Sequence, residues 1–182
     1  FLGPMKTIET ERVVLRNFAR EDAEGLLAYM REPRASCFIS GKLDDLDAAI
    51  SDVQSRADND EAIAVVLKSS GELIGDMFCM FEEPDTFSVG WNFNAAFEGK
   101  GLASEAARAL LHHLFTDRGA RRIFAYVEVT NPRSQALCER LGMRKEGVFR
   151  EFISFINDAA GNPIYEDTMQ YALLKREWVG QA

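Results

Sequence analysis

Apolar residues recur at every second position around Val13 and Leu15, so residues 9–18 read as a strand. The period then lengthens. Leu26, Leu27 and Met30 share a helical face behind Arg20-Glu21-Asp22, and Pro33 ends that helix. A second helix is predicted from Asp44 to about Ala57, with Leu46, Ile50 and Val53 at helical spacing and an acidic outer face. Strands return at 62–67 and 72–81 across a Ser69-Ser70-Gly71 turn, and again at 87–93 in FSVGWNF. A loop from Asn94 to Gly101 leads into a helix over 102–116, striped by Ala106, Leu110, Leu111 and Leu114. A strand at 123–129, a helix at 132–141 stopped by Gly142, and two long strands at 148–156 and 164–174 complete the pattern. The order β-α-α-β-β-β-α-β-α-β-β, unbroken by repeat or linker, predicts one α/β domain of mixed sheet topology over residues 5–182. Phe1 to Pro4, ahead of Met5, read as an appended remnant outside the fold.

Composition narrows the function. The 182 residues are 47% hydrophobic and 27% charged, a balance that supports a packed core and excludes disorder. The net charge of −8 argues against nucleic acid or an anionic membrane as partner. Apolar runs stay well short of a membrane span and no export signal is recognisable, so a cytoplasmic protein is expected. Cys37, Cys79 and Cys138 form no disulfide or zinc pattern, and the adjacent His112 and His113 have no metal-ligand spacing. The charge is unevenly spread: residues 1–99 carry −10, 100–150 carry +5 and 151–182 carry −3. A basic block inside an acidic chain points to a small anionic ligand.

That block opens with Glu98-Gly99-Lys100-Gly101-Leu102-Ala103-Ser104, between a strand and a helix. Two glycines let backbone bend around a ligand, while the helix directs its unpaired N–H groups and partial positive end into the bend. A phosphate fits such a turn; so does a plain tight connection. A dinucleotide fingerprint fails at Ser104, which stands in the third glycine slot, and the Walker spacing is absent. One β-unit later, Val129-Thr130-Asn131-Pro132-Arg133-Ser134 repeats the junction, with Asn131 suited to cap the helix and Pro132 to its first position. The two junctions would lie side by side at one sheet edge and form one site.

These motifs, with the opening TERVVLRNF, the GKGLASEA turn, NPRSQALCERLGMRKEGVFRE and the closing EDTMQYALLKREW, make the chain resemble the GCN5-related N-acetyltransferase (GNAT) superfamily from Glu9 to Trp178. Within it, the ribosomal-protein N-terminal acetyltransferase (RimJ/RimL-like) branch is the most similar. The resemblance implies a mixed, largely antiparallel sheet that splays between FSVGWNF and the strand around Ala125. It implies acetyl-CoA in the opening, with no metal. The pantetheine arm would pair along Phe93 and Asn94, and the pyrophosphate would rest on N–H groups of Gly99, Lys100, Gly101, Leu102, Ala103 and Ser104. Asn131 and Ser134 would face the cofactor, with Arg133 or Lys100 serving its remaining phosphates. Glu98 departs from the family's Gln/Arg slot, and a carboxylate there opposes a pyrophosphate unless it turns away.

The same resemblance implies transfer of an acetyl group to a primary amine. Cys138 fills the slot where many members carry an acidic tyrosine, so Ser134 is the expected proton donor to the departing thiolate. Ile153 fills a glutamate slot, leaving Glu151 as the nearest candidate base, with bulk water as the alternative for an α-amine of pKa about 7.7–8.0. The expected acceptor is a peptide or ribosomal-protein N-terminus. A small amine, or a non-catalytic acyl-CoA-binding module, is the alternative, and the protein would be a monomer or homodimer. The acidic residues of 44–61, with Glu82, Glu83 and Asp85, are expected to steer a cationic acceptor.

Overall fold

A computed structural model describes residues 5–179; residues 1–4, read above as a remnant, lie outside the described residues, as do 180–182. The chain runs β1 (Ile8–Glu9), β2 (Val13–Arg16), α1 (Ala23–Met30), α2 (Leu46–Ala57), β3 (Ala62–Leu67), β4 (Leu73–Glu82), β5 (Thr86–Phe93), α3 (Leu102–Thr116), β6 (Arg122–Glu128), α4 (Pro132–Arg140), β7 (Arg144–Asn157), β8 (Pro163–Leu174) and α5 (Lys175–Val179). The eight strands form one sheet in the order β1-β2-β3-β4-β5-β6-β8-β7. Only the β5–β6 pair is parallel, because α3 carries the chain back between them; the other neighbours are antiparallel. The mixed α/β sheet flanked by helices is the expected class.

Two apolar layers cover the sheet. On one face Leu110, Leu111, Leu114 and Phe115 of α3 and Leu137 of α4 pack on Val65, Val89, Ile123 and Val127. On the other, Leu26 and Met30 of α1 and Val53 of α2 pack on Ala64 and Val66. The alternation of β6 sends Ile123, Ala125 and Val127 to the α3 side, so Glu128 belongs to the opposite face. A polar tie joins the second layer: Tyr29 donates to Asp76 at 2.5 Å, and Arg56 reaches both Asp76 (3.3 Å) and Asp52 (3.2 Å). Among the described residues, no helix is long and apolar enough to cross a membrane.

Several boundaries differ from the sequence pattern. The first strand divides into β1 and β2, which fold back antiparallel with Ile8 opposite Leu15. The chain after α1 makes a 3-10 helix over Ser36–Gly41 that no apolar period announces. β7 begins at Arg144, four residues early, because an edge strand needs no buried alternation: Arg122 and Arg144 both pair with Glu146 there.

The feature that positions the site is the short contact between β5 and β6. Their ladder holds only Thr86–Ser88 against Arg122–Phe124. Beyond it β5 stays with β4 as far as Phe93, β6 stays with β8, and the sheet opens between them as a wedge. Gly75 keeps the end of β5 in place. A Cβ there would stand 2.7 Å from the Asn92 carbonyl oxygen and 2.5 Å from the Phe93 ring. Gly75→Ala is expected to lower stability by about 1–3 kcal/mol through overpacking, read as a lower urea midpoint with unchanged slope.

Candidate active site

The wedge holds a cleft of about 530 Å³. Trp91 to Asn94 of β5 form one wall and Asn131 to Arg140 of α4 the other. The turn before α3 forms the floor and Arg34, Ala35 and Phe38 the roof. Gly99 (φ 81°) and Gly101 (φ 77°) both adopt the left-handed conformation that favours glycine, which bends the backbone into the cleft. The first bond of α3 runs from the Glu105 N–H to the Gly101 carbonyl at 3.1 Å, so the N–H groups of Leu102, Ala103 and Ser104 have no helical partner. Arg12 braces this turn, donating to the Lys100 carbonyl (2.9 Å) and pairing with Glu105 (2.8 Å).

Of the sequence-predicted ligand residues, Phe93, Asn94, Gly99, Gly101, Leu102, Ala103, Ser104, Asn131, Arg133 and Ser134 all line this cleft. Lys100 does not; its side chain is exposed, with Nζ 5.9 Å over the Phe97 ring at the rim. Glu98 also lines the cleft, where it pairs with Arg34 (3.3 Å), whose other guanidinium nitrogen donates to the Phe93 carbonyl at 2.9 Å. Arg140, which the sequence reading missed, also lines the cleft and donates to Ser104 Oγ at 3.0 Å. Much of the basic block lies elsewhere: Arg122 and Arg144 are held by Glu146, and Arg121 by the Pro84 carbonyl.

Asn131 caps α4, its Oδ1 accepting from the Ser134 N–H at 3.3 Å. Ser134 Oγ in turn accepts the indole N–H of the buried Trp91 at 3.1 Å. With one lone pair engaged by that donor, the hydroxyl keeps its own proton available to the cleft. Cys138, one turn further, is fully buried in the core, and burial pushes its thiol up to about 12. The thiol therefore has no place in the cleft's proton chemistry.

A second cleft of about 850 Å³ adjoins the first, sharing Arg34, Ala35, Asn131 and Arg133. Glu128, Glu151, Glu166 and Asp167 line it. Glu166, only 8% exposed, accepts hydroxyl bonds from Ser36 and Thr130, each 2.6 Å. Glu128 is also 8% exposed. Burial, the larger cause, and the Glu166 carboxylate hold Glu128's carboxyl above its usual range.

Glu151, the candidate base, lines this second cleft. It is exposed, has a φ of 48°, and its N–H donates to Asp167 Oδ1 at 2.7 Å. The register slips between Phe149 and Ile153, so the simple alternation that would set Glu151 on Ile153's face does not apply. Three of the acidic groups expected to steer an acceptor lie away from both clefts. Glu82, Glu83 and Asp85 flank the closed end of β5, about 23 Å along the strand from Phe93.

The family comparison agrees with this geometry. Residues 12–144 match the acetyltransferase (GNAT) domain. The chain belongs to the GNAT acetyltransferase family. It is 31% identical over 173 residues to the uncharacterized N-acetyltransferase YnaD of Bacillus subtilis (strain 168), covering 94% of this chain and 98% of that one. It is 33% identical over 103 residues to the ribosomal-protein-serine acetyltransferase of Escherichia coli (strain K12), 56% of this chain and 54% of that one. The crystal structure of a GNAT-family acetyltransferase from Bacillus anthracis superposes with a TM-score of 0.83 at 28% identity, covering 94% of this chain and all of that one. The chain is thus a GNAT N-acetyltransferase, as its motifs suggested.

The cap at the junction carries a direct expectation. Asn131→Ala leaves the first turn of α4 without its acceptor and should cost about 1 kcal/mol, seen as a melting temperature lower by about 2–4 °C for a chain of this size.

Proposed function

We propose that this GNAT acetyltransferase takes acetyl-CoA in the wedge between β5 and β6 and passes its acetyl group to a primary amine entering from the second cleft. The observation that carries the reading is the floor of the wedge. Two left-handed glycines and the free first-turn N–H groups of α3 border a cleft of about 530 Å³. Backbone donors at a helix N-terminus suit a pyrophosphate, and no side chain need supply that charge. Glu98, the one carboxylate in the turn, is turned to Arg34. The residues present therefore fit the group, with Arg133 and Arg140 as the cations nearest its phosphates.

Bound acetyl-CoA supplies an acetyl group activated as a thioester. The protein's part is to hold and move protons. Phe93 and Asn94 line the wall where an extended amide chain can lie along β5. Ser134 keeps its hydroxyl proton for the departing sulfur, oriented by the Trp91 indole. Glu151, on the exposed rim, is assigned to the approach of a cationic acceptor rather than to proton transfer. A peptide amino terminus is the favoured acceptor. Its α-amine is far more often neutral near pH 7 than a lysine side chain, and the E. coli relative is named for a ribosomal protein.

Calorimetry with acetyl-CoA, followed by thiol release over a panel of serine- and alanine-led peptides and small amines, tests both halves. Release with peptides and not with small amines is expected. Binding without release across the panel would return the reading of a non-catalytic module, and absence of binding would remove the proposal. Ser134→Ala is expected to lower kcat by about 10²–10⁴-fold with acetyl-CoA affinity unchanged. Unaltered turnover at saturating acetyl-CoA would take Ser134 out of the acid role.

A further inference from the structure

Arg34 and Glu98 stand 64 positions apart in the chain and meet inside the wedge. Glu98 lies directly before the left-handed Gly99, where the floor begins. Arg34 comes from the roof, in the stretch between α1 and the 3-10 helix Ser36–Gly41. Its guanidinium reaches two partners at once: Nη1 is 3.3 Å from Glu98 Oε1, and Nη2 donates to the Phe93 carbonyl at 2.9 Å. That carbonyl faces the wedge. The next residue, Asn94, turns its N–H to the Ile74 carbonyl at 2.9 Å, and successive residues of a strand present their backbone groups to opposite sides. At the open end of β5, Arg34 therefore supplies a donor in the direction that β6 occupies at Thr86–Ser88.

Stability does not account for the pair. Side chains 33% and 54% exposed form an ion pair worth little to folding. Its surroundings are what set it apart. Among the described residues, Arg34, Arg133, Arg140 and Glu98 are the charged side chains that line the cleft, and Glu98 is the one carboxylate. Like charges in a cleft repel across several ångströms, since the screening length is about 10 Å at 0.1 M salt. A bare carboxylate beside the floor would oppose any diphosphate held there. The guanidinium is always charged, and its planar fork suits it to grip the carboxylate with one nitrogen and the strand-edge carbonyl with another.

We propose that Arg34 and Glu98 work as one neutral unit, in which Arg34 masks the Glu98 carboxylate from the diphosphate of acetyl-CoA and so determines cofactor affinity. This rests on the acetyl-CoA reading above and adds to it a residue that neither junction motif contains. Glu98 is in turn the positioning residue for Arg34. Among the described residues, the Arg34 side chain has two acceptors, the Glu98 carboxylate and the Phe93 carbonyl, and the first fixes the guanidinium over the floor. The Phe93 carbonyl has two lone pairs, so it can accept from an extended amide chain while it keeps Arg34. The side chains lining the cleft sum to +2, from three arginines and one glutamate. Removing Arg34 alone lowers that sum and uncovers the carboxylate, whereas removing both charges of the pair leaves it unchanged.

Calorimetry of acetyl-CoA without acceptor, on wild type, Arg34→Ala, Glu98→Gln and the double variant, tests this as a double-mutant cycle. Arg34→Ala is expected to bind about tenfold more weakly at about 0.1 M salt, and within about twofold of wild type at about 1 M, where the screening length falls to about 3 Å. Glu98→Gln, which keeps an oxygen for Arg34 but no charge, should bind as tightly as wild type or more tightly. The double variant should return to within about threefold of wild type, the mark of a charge that needs masking. Melting temperatures of all variants are expected within about 4 °C of wild type, as for an exposed pair. Unchanged affinity in Arg34→Ala, a double variant as weak as Arg34→Ala, a loss equal at both salt concentrations, or a tenfold loss in Glu98→Gln would each overturn the masking role. A wild type that binds no acetyl-CoA sinks the cofactor reading itself, whereas any of those outcomes with a binding wild type sinks only the role of Arg34.

Discussion

Everything functional in this protein depends on a parallel ladder that stops after three residues. A sheet whose other pairs are antiparallel can be closed by ordinary hydrogen bonding, but β5 and β6 join only at Thr86–Ser88 and then diverge. The backbone groups beyond that point are left to face a cleft. The divergence is held from both sides: β5 is tied to β4 up to Gly75 and Phe93, and β6 to β8 up to Glu128 and Thr168. Neither strand can relax toward the other without breaking its own ladder. The apolar layer of α3 and α4 then sets two helix starts beside the opening.

Those helix starts divide the chemistry. The turn before α3 presents backbone N–H groups and helix dipole, which suit a polyanion without any buried cation. The junction from Glu128 to Ser134 presents side chains: a buried carboxylate on one sheet face, and a hydroxyl oriented by Trp91 in the wedge. The two clefts proposed for donor and acceptor therefore meet at Asn131 and Arg133, which line both. The electrostatic contrast that the sequence suggested on the scale of whole segments works here on a much smaller scale. The basic block is largely consumed in pairs such as Arg122–Glu146, and the acidic hairpin residues sit at the closed end of β5.

Helix α3 was legible almost to the residue, because a left-handed glycine, a four-residue apolar stripe and a polar stop occur in one short window. The Asn131-Pro132 start of α4 was legible for the same reason: capping is a local interaction between neighbours in the chain. β7 was read short because an edge strand carries polar residues on both faces, and a bulge there breaks the alternation around Glu151. Arg34, Trp91 and Arg140 carried no sequence signal, since what each does depends on a partner far along the chain.

The sequence by itself determined the element order, the two glycines and the cap that shape both junctions, and the motifs of the family. These are matters of local conformation and side-chain type, which short stretches of chain encode. The tertiary structure alone decided where β5 and β6 part, that Glu98 turns to Arg34, and that Glu128 and Glu166, 38 positions apart, share one buried face while Ser36 reaches Glu166 from 130 residues away. Burial, with the neighbouring Glu166 carboxylate, gives Glu128 its raised proton affinity. Both are properties of packing, and neither is written in any local stretch of sequence.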